Sequence, residues 1–138
     1  LDTALLCYLL KLQDPISLLD VPMSNAEFET YVFSEIYKSC INQGIEPIFS
    51  YFKTKRQSSA TLLIYQEDCI HPIQIKLTAS PFRDYKDKSN FLASIEDLKK
   101  LCEHSNSKIN IAQGAVICMC EDVLPIDHKN NFVPVWLI

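Results

Sequence analysis

At 138 residues the chain is long enough for one hydrophobic core and too short for two. With 48% hydrophobic and 22% charged residues it is neither a disordered nor a fibrous sequence. Thirteen Lys and Arg against seventeen Asp and Glu leave a net charge of −4 and a pI near 5.3; this excludes coating of nucleic acid or anionic membrane by bulk charge and leaves room for a local basic patch.

Leu5 to Leu12 has the apolar content of a short core helix, closed by the loop around Asp14-Pro15, and lacks the basic flank and cleavage site of a signal peptide. Ile16 to Val21 is a turn or short helix that stops at Pro22. Ser24-Asn25-Ala26-Glu27 then reads as a capping box, in which the serine hydroxyl accepts from the Glu27 amide and the glutamate reaches back. Phe28, Val32, Ile36 and Cys40 recur behind it at helical spacing and Gly44 is placed to end the helix, so the spacing predicts a helix over 25–43.

After Gly44 the period changes from 3.6 to 2. Pro47 to Lys53, Ala60 to Tyr65 and Ile70 to Leu77 read as three strands joined by short polar turns, an antiparallel meander. The polar stretch Ser80 to Ser89 leads into a second amphipathic helix marked by Phe91, Leu92, Ile95, Leu98 and Leu101. Gly114 opens the apolar run Ala115 to Met119, which suits a strand buried on both faces. The closing segment Phe132 to Ile138 is a last strand, and its Pro134 places it at a sheet edge. The expected architecture is one α/β domain in the order αα-βββ-α-ββ.

No run approaches the roughly 18 apolar residues of a membrane span. Two glycines leave no phosphate-cradling loop. Six cysteines could form three disulfides, but they fall mostly inside apolar segments, which favours free thiols in a reducing cytoplasm. Cys69-x-His71 and Cys102-x-His104 pair thiol with imidazole at a spacing unlike that of structural zinc, and no metal is expected. No nucleophile sits in a recognisable turn. The informative segment is Pro72-Ile73-Gln74-Ile75-Lys76, where Gln74 and Lys76 share one strand face and two isoleucines the other. Read from periodicity alone, this is an amphipathic strand with a solvated polar face.

Leu-Cys-Tyr-Leu-Leu-Lys-Leu-Gln at the start, Glu27-Phe28-Glu29-Thr30-Tyr31-Val32 with Glu35-Ile36-Tyr37-Lys38, and His71-Pro72-Ile73-Gln74-Ile75-Lys76-Leu77 together resemble the DUF4143 domain, the C-terminal part of many bacterial and archaeal P-loop ATPases. The resemblance runs from residue 2 to Val133-Pro134-Val135-Trp136. It implies a single restriction-endonuclease-like (PD-(D/E)xK) domain over 1–138. With Leu1 in place of an initiator Met, it also implies a fragment of a longer cytoplasmic ATPase, with ATP bound in the N-terminal part. In that nuclease fold a helix acid, a second-strand aspartate and a third-strand E-x-K converge on Mg²⁺ and the scissile phosphate.

Carried over residue by residue, the helix glutamate is Glu29 and the third-strand lysine is Lys76. The metal-binding aspartate has become Thr61, and the E of E-x-K has become Gln74, which resembles the Q-x-K of some restriction-type members. A hard Mg²⁺ ion wants carboxylate oxygens. Glu35 is too far round the helix to substitute, and Glu67 and Asp68 fall in a hairpin turn. The expectation is therefore a catalytically degenerate accessory domain without a cofactor, in which Glu29 and Lys76 persist as an ion pair. A nuclease with an eroded but active Mg²⁺ site is the alternative, and a purely structural module a third reading.

Lys53, Lys55 and Arg56 flank the first hairpin; Arg83, Lys86 and Lys88 crowd the loop after the Lys76 strand. If both loops lie on one edge they form a basic rim beside Tyr51 and Tyr85, suited to DNA or RNA. Asp84 and Asp87 offset much of the second cluster, which favours plain solvated loops. Expected partners are the ATPase portion of the same chain and, through that rim, nucleic acid, with no membrane.

Overall fold

The computed structural model describes residues 5, 8–9, 24–55, 60–81, 85–105 and 108–138, with the side chains of Ser24 and Tyr85 among the undescribed parts. The two helical segments expected before Pro22 therefore lie outside the described residues, apart from Leu5, Tyr8 and Leu9, which are helical. The Ser24 side chain of the expected capping box lies outside them too, but Glu27 is 6% exposed and neither of its carboxylate oxygens makes a hydrogen bond among the described residues, so the expected reach back to the Ser24 amide does not form. The first described helix, α1, is Ser24–Asn42. It ends as the sequence predicts: Gly44 turns left-handed at φ 75°, its N–H donates to Ile41 O, and the Ile45 N–H donates to Cys40 O, both at 2.9 Å. That double closure satisfies carbonyls the helix leaves open.

The meander follows as β1 (Ile48–Phe52), β2 (Thr61–Gln66) and β3 (Cys69–Ile75), each antiparallel to the next. Helix α2 runs Tyr85–His104 and begins earlier than its apolar spacing suggests, because its first turn is polar. The rest of the chain contributes β4 (Asn110–Ile111), β5 (Ala115–Cys118), β6 (Leu124–Pro125) and β7 (Asn131–Pro134), then a single 3₁₀ turn over Val135–Leu137. The sheet order is β1-β2-β3-β5-β7-β6, with β4 also paired to β3. Beyond β3 the pairing becomes parallel, β3 to β5 and β5 to β7. The seven-stranded sheet is thus antiparallel in its first half and largely parallel in its second.

Strand alternation divides the sheet into two faces, and among the described residues α1 packs on one and α2 on the other. Val32 of α1 packs on Ile75 and Ile117, with Phe28, Ile36 and Ile73 around them. On the other face Phe91 and Ile95 of α2 pack on Val116, Cys118 and Phe132, and Leu98 on Leu63 and Ile70. β5 is buried on both faces, as its uninterrupted apolar run requires. The polar face read on β3 is buried as well: Gln74 is 1% exposed, because α2 lies over it. Periodicity distinguishes the two sides of a strand but not whether the polar side meets water.

Pro134 does not mark an edge. β7 lies between β5 and β6, and Pro134 is its last residue, where one missing N–H costs little. A second proline is more demanding. Pro72 stands in the middle of central β3, paired to Leu63 on one side. On its other side β4 stops at Ile111 and β5 starts at Ala115, so the ladder is interrupted where proline has no hydrogen to give. Gly114 fills that gap. A Cβ there would stand 2.6 Å from Pro72 O, 2.8 Å from Pro72 Cγ and 2.9 Å from Phe91 Cζ. The Gly114 N–H is taken at 2.9 Å by Asn130 Oδ1 from the β6–β7 turn. That turn is fixed by Asp127, whose carboxylate accepts from the Lys129 and Asn130 amides and from Asn130 Nδ2. Burial acts to raise the Asp127 pKa, but these hydrogen bonds outweigh it and hold the carboxyl below its ordinary range.

The five described cysteines are free thiols. Cys118 and Cys120 point into the α2-side core, with Cys118 Sγ donating to Cys120 Sγ at 3.1 Å. Burial, reinforced by that hydrogen bond, pushes the Cys118 thiol up to about 12 from 9.0. The folded state therefore keeps a proton that the unfolded chain gives up near pH 9, so this contribution to stability is present below pH 9 and lost as pH rises toward 12. Urea unfolding should show the midpoint falling between pH 8 and 10.5, and less steeply in Cys118→Ala.

Candidate functional site

The third-strand residues and the start of β2 meet at one end of the sheet. Gln74 Nε2 donates to Thr61 Oγ1 at 3.1 Å and to Ser94 Oγ of α2 at 3.0 Å, and Ser94 Oγ in turn donates to the Asn90 carbonyl at 2.8 Å. Thr61, Gln74 and Ser94 are each 1% exposed. Gln74 Oε1 is buried without a hydrogen bond among the described residues. Lys76 continues the same face beyond the strand end, its N–H still donating to Ile117 O. Its ammonium lies 3.9 Å from Asp87 Oδ1 of α2, with the two side chains 18% and 14% exposed. Thr61, Gln74 and Lys76 are thus brought together, and α2 adds Ser94 and Asp87.

Glu29 is not with them. It stands on α1, across the sheet, and lines a cleft with Tyr51, Leu62, Ile73 and Ile75. The expected Glu29–Lys76 ion pair does not form; the lysine finds its carboxylate on α2 instead. The reason is the strand's period of two: Gln74 and Lys76 face α2, so a residue of α1 sees only Ile73 and Ile75. Asp87 was legible only as a charge offsetting its neighbours, because the polar first turn of α2 carries no helical periodicity. Ser94 gave no signal beyond its position in the helix.

The Lys76–Asp87 pair is long, and its coupling is correspondingly modest. Lys76→Met and Asp87→Asn should each destabilise by about 1–2 kcal/mol, and the double variant by less than their sum, by about 0.5–1 kcal/mol. Additive losses in a denaturant double-mutant cycle would show that the two charges do not interact.

The donors here do not fit Mg²⁺. Gln74 presents its amide hydrogens to Thr61 and Ser94, and the cluster's one carboxylate, Asp87, is engaged by Lys76. Among the described residues no group of three or more His, Cys, Asp or Glu is arranged to hold a metal. His71 and His104 each place Nδ1 against a backbone carbonyl, Gln113 O at 2.9 Å and Lys100 O at 2.7 Å.

Three of the basic candidates, Lys53, Lys55 and Lys86, lie at this end of the described structure. Lys53 and Lys55 follow β1, whose last residue Phe52 pairs with Thr61, and Lys86 opens α2 beside Asp87; all three are exposed. Arg56 and Arg83 lie outside the described residues. At the opposite end of β3, a larger groove of about 640 Å³ runs between α2 and the β6–β7 turn. Its lysines Lys99, Lys100 and Lys129 are interleaved with Glu96, Glu103 and Asp127, so it presents no single sign of charge.

Compared with known families, residues 25–138 match the family described as "Domain of unknown function (DUF4143)". The chain belongs to the DUF4143 family. The match takes in α1 from its second residue, every described strand and the Thr61–Gln74–Lys76 cluster. Neither the curated proteins nor the solved structures contain a match to this DUF4143 chain. Within the described residues of the domain, no helix is long and apolar enough to cross a membrane.

Proposed function

We propose that this DUF4143 chain is a catalytically degenerate relative of the PD-(D/E)xK nucleases, an accessory module of a prokaryotic cytoplasmic P-loop ATPase that works by contact with nucleic acid or protein. One observation carries the reading: the two positions that resemble the nuclease acids, Thr61 and Gln74, are hydrogen-bonded to each other and sealed under Ser94 of α2. A hydrolytic site needs water and an ion at that spot. The order helix, three-stranded antiparallel meander, helix and further strands is compatible with the fold that the resemblance implies, which supports the fold half of the proposal. The contact half is supported by Lys53, Lys55 and Lys86, exposed at the same end of the sheet. The eroded-nuclease alternative draws on Asp87, a carboxylate beside Lys76, but one acid already paired to a lysine is a poor Mg²⁺ ligand set.

The test is incubation with labelled single- and double-stranded DNA and RNA, in Mn²⁺ or EDTA, beside Lys76→Ala. No cleavage is expected. EDTA-sensitive cleavage lost in Lys76→Ala would restore the enzyme. A retarded band that weakens with salt, and weakens further in Lys53→Ala/Lys55→Ala, identifies nucleic acid as the partner; its absence leaves protein contact.

A further inference from the structure

The cleft on the opposite face, between α1 and the meander, is where Glu29 stands. It is a solvent-open cleft of about 300 Å³, at the small end of ligand sites of roughly 300–1,000 Å³ and large enough for one long side chain. Its floor is apolar, from Leu62, Ile73 and Ile75, and Phe33 and Tyr51 stand at its walls. Glu29 is the one charged residue among those lining it, exposed and absent from the ion pairs among the described residues. The carboxylate is close enough to Tyr51 to act on it: burial raises the phenol's pKa, and the negative charge of Glu29 raises it further.

We infer that this cleft receives the side chain of an arginine from a partner protein, its stem on the apolar floor and its guanidinium between the Glu29 carboxylate and the aromatic walls. The chemistry of the lining selects this occupant. A phosphate or carboxylate is repelled by Glu29. A purely apolar group would strip water from the carboxylate and give nothing back. A guanidinium on a methylene stem meets all three features, since it donates to a carboxylate bidentately, stacks on aromatic faces and carries a buriable stem. The inference rests on the protein-contact half of the function proposed above and gives that partner a chemistry. It also assigns Glu29 a role that does not involve Thr61, Gln74 or Lys76, from which the sheet separates it.

The test titrates the isotopically labelled 138-residue chain with an arginine-centred pentapeptide, its citrulline twin and free arginine, reading the amide shifts of Leu62, Ile73 and Ile75. The arginine peptide should saturate these shifts in the roughly millimolar range. The citrulline peptide should bind about three- to tenfold more weakly, and Glu29→Gln should lose the same factor toward the arginine peptide with the remaining resonances unmoved. Equal binding of citrulline, an unaffected Glu29→Gln or unmoved cleft resonances would each overturn the inference. Free arginine binding as tightly as the peptide would overturn the protein source. This readout is independent of the cleavage assay: cleavage with arginine binding intact sinks only the degenerate-site reading, and absent binding without cleavage sinks only this one.

Discussion

Gly114→Ala should destabilise the domain by about 3 kcal/mol, roughly 10 °C in melting temperature, although it adds one methyl group. The methyl has nowhere to go. Two of its three nearest neighbours belong to Pro72, whose carbonyl is locked in a central strand, and the third is the ring of Phe91, fully buried in the α2-side core. Relief requires β3 and β5 to part or α2 to lift, and either disturbs the longest stretch of core. Gly44→Ala is the contrasting control. Nothing lies within 4 Å of its added Cβ, but φ 75° is a left-handed conformation, so the loss is about 1 kcal/mol and conformational in origin. Thermal melts that rank Gly44→Ala as the more damaging change would contradict the packing at Pro72.

Gln74→Glu restores the residue of the nuclease pattern and is expected to cost about 2–3 kcal/mol at pH 7.5. The glutamine amide donates to Thr61 and Ser94; a carboxylate there can only accept. Ser94 has already committed its hydrogen to Asn90 O, which leaves Thr61 as the ready donor, with Lys76 offsetting part of the charge. Burial therefore raises the folded-state pKa of the new acid above its unfolded value near 4.3. Protonated, the glutamic acid matches glutamine in shape, so the variant should equal the parent at pH 4. The deficit should open as pH rises past the unfolded value and be complete once the folded pKa is passed. Urea unfolding of both proteins from pH 4 to 8 measures it. A Gln74→Glu variant as stable as the parent at pH 7.5, and further stabilised by Mn²⁺, would refute the degenerate-site reading.

Much of this fold can be read from residue order because its signals are local. The switch from 3.6 to 2 after Gly44, the polar turns between three β-rich runs and the apolar block after Gly114 each name an element without reference to the rest of the chain. What escapes is what depends on neighbours. β4 and β6 are two residues long, too short for any periodicity, yet β6 decides that β7 is interior and Pro134 is not an edge marker. The burial of Gln74 depends on a helix that follows it by twenty residues at Ser94. The acid beside Lys76 came from a helix start that looked like loop. The family resemblance located Thr61, Gln74 and Lys76 together but carried Glu29 with them, and only the alternation of strand faces separates it.

β3 pairs with a near neighbour in sequence on one side and with a distant one on the other. Thr61 and Gln74 are thirteen positions apart and belong to adjacent strands, so their bond can form as soon as the meander exists. The parallel partners β5 and β7 must wait for a crossover through α2, which closes a longer loop before any pairing repays it. A chain emerging from synthesis would thus present β1 to β3 with a polar seam still open to water. The arrival of α2 would close that seam with Ser94 and Asp87 and admit the rest of the sheet. A helix docked out of register would leave Gln74 and Lys76 under apolar side chains, and burying those polar groups without partners disfavours such a form.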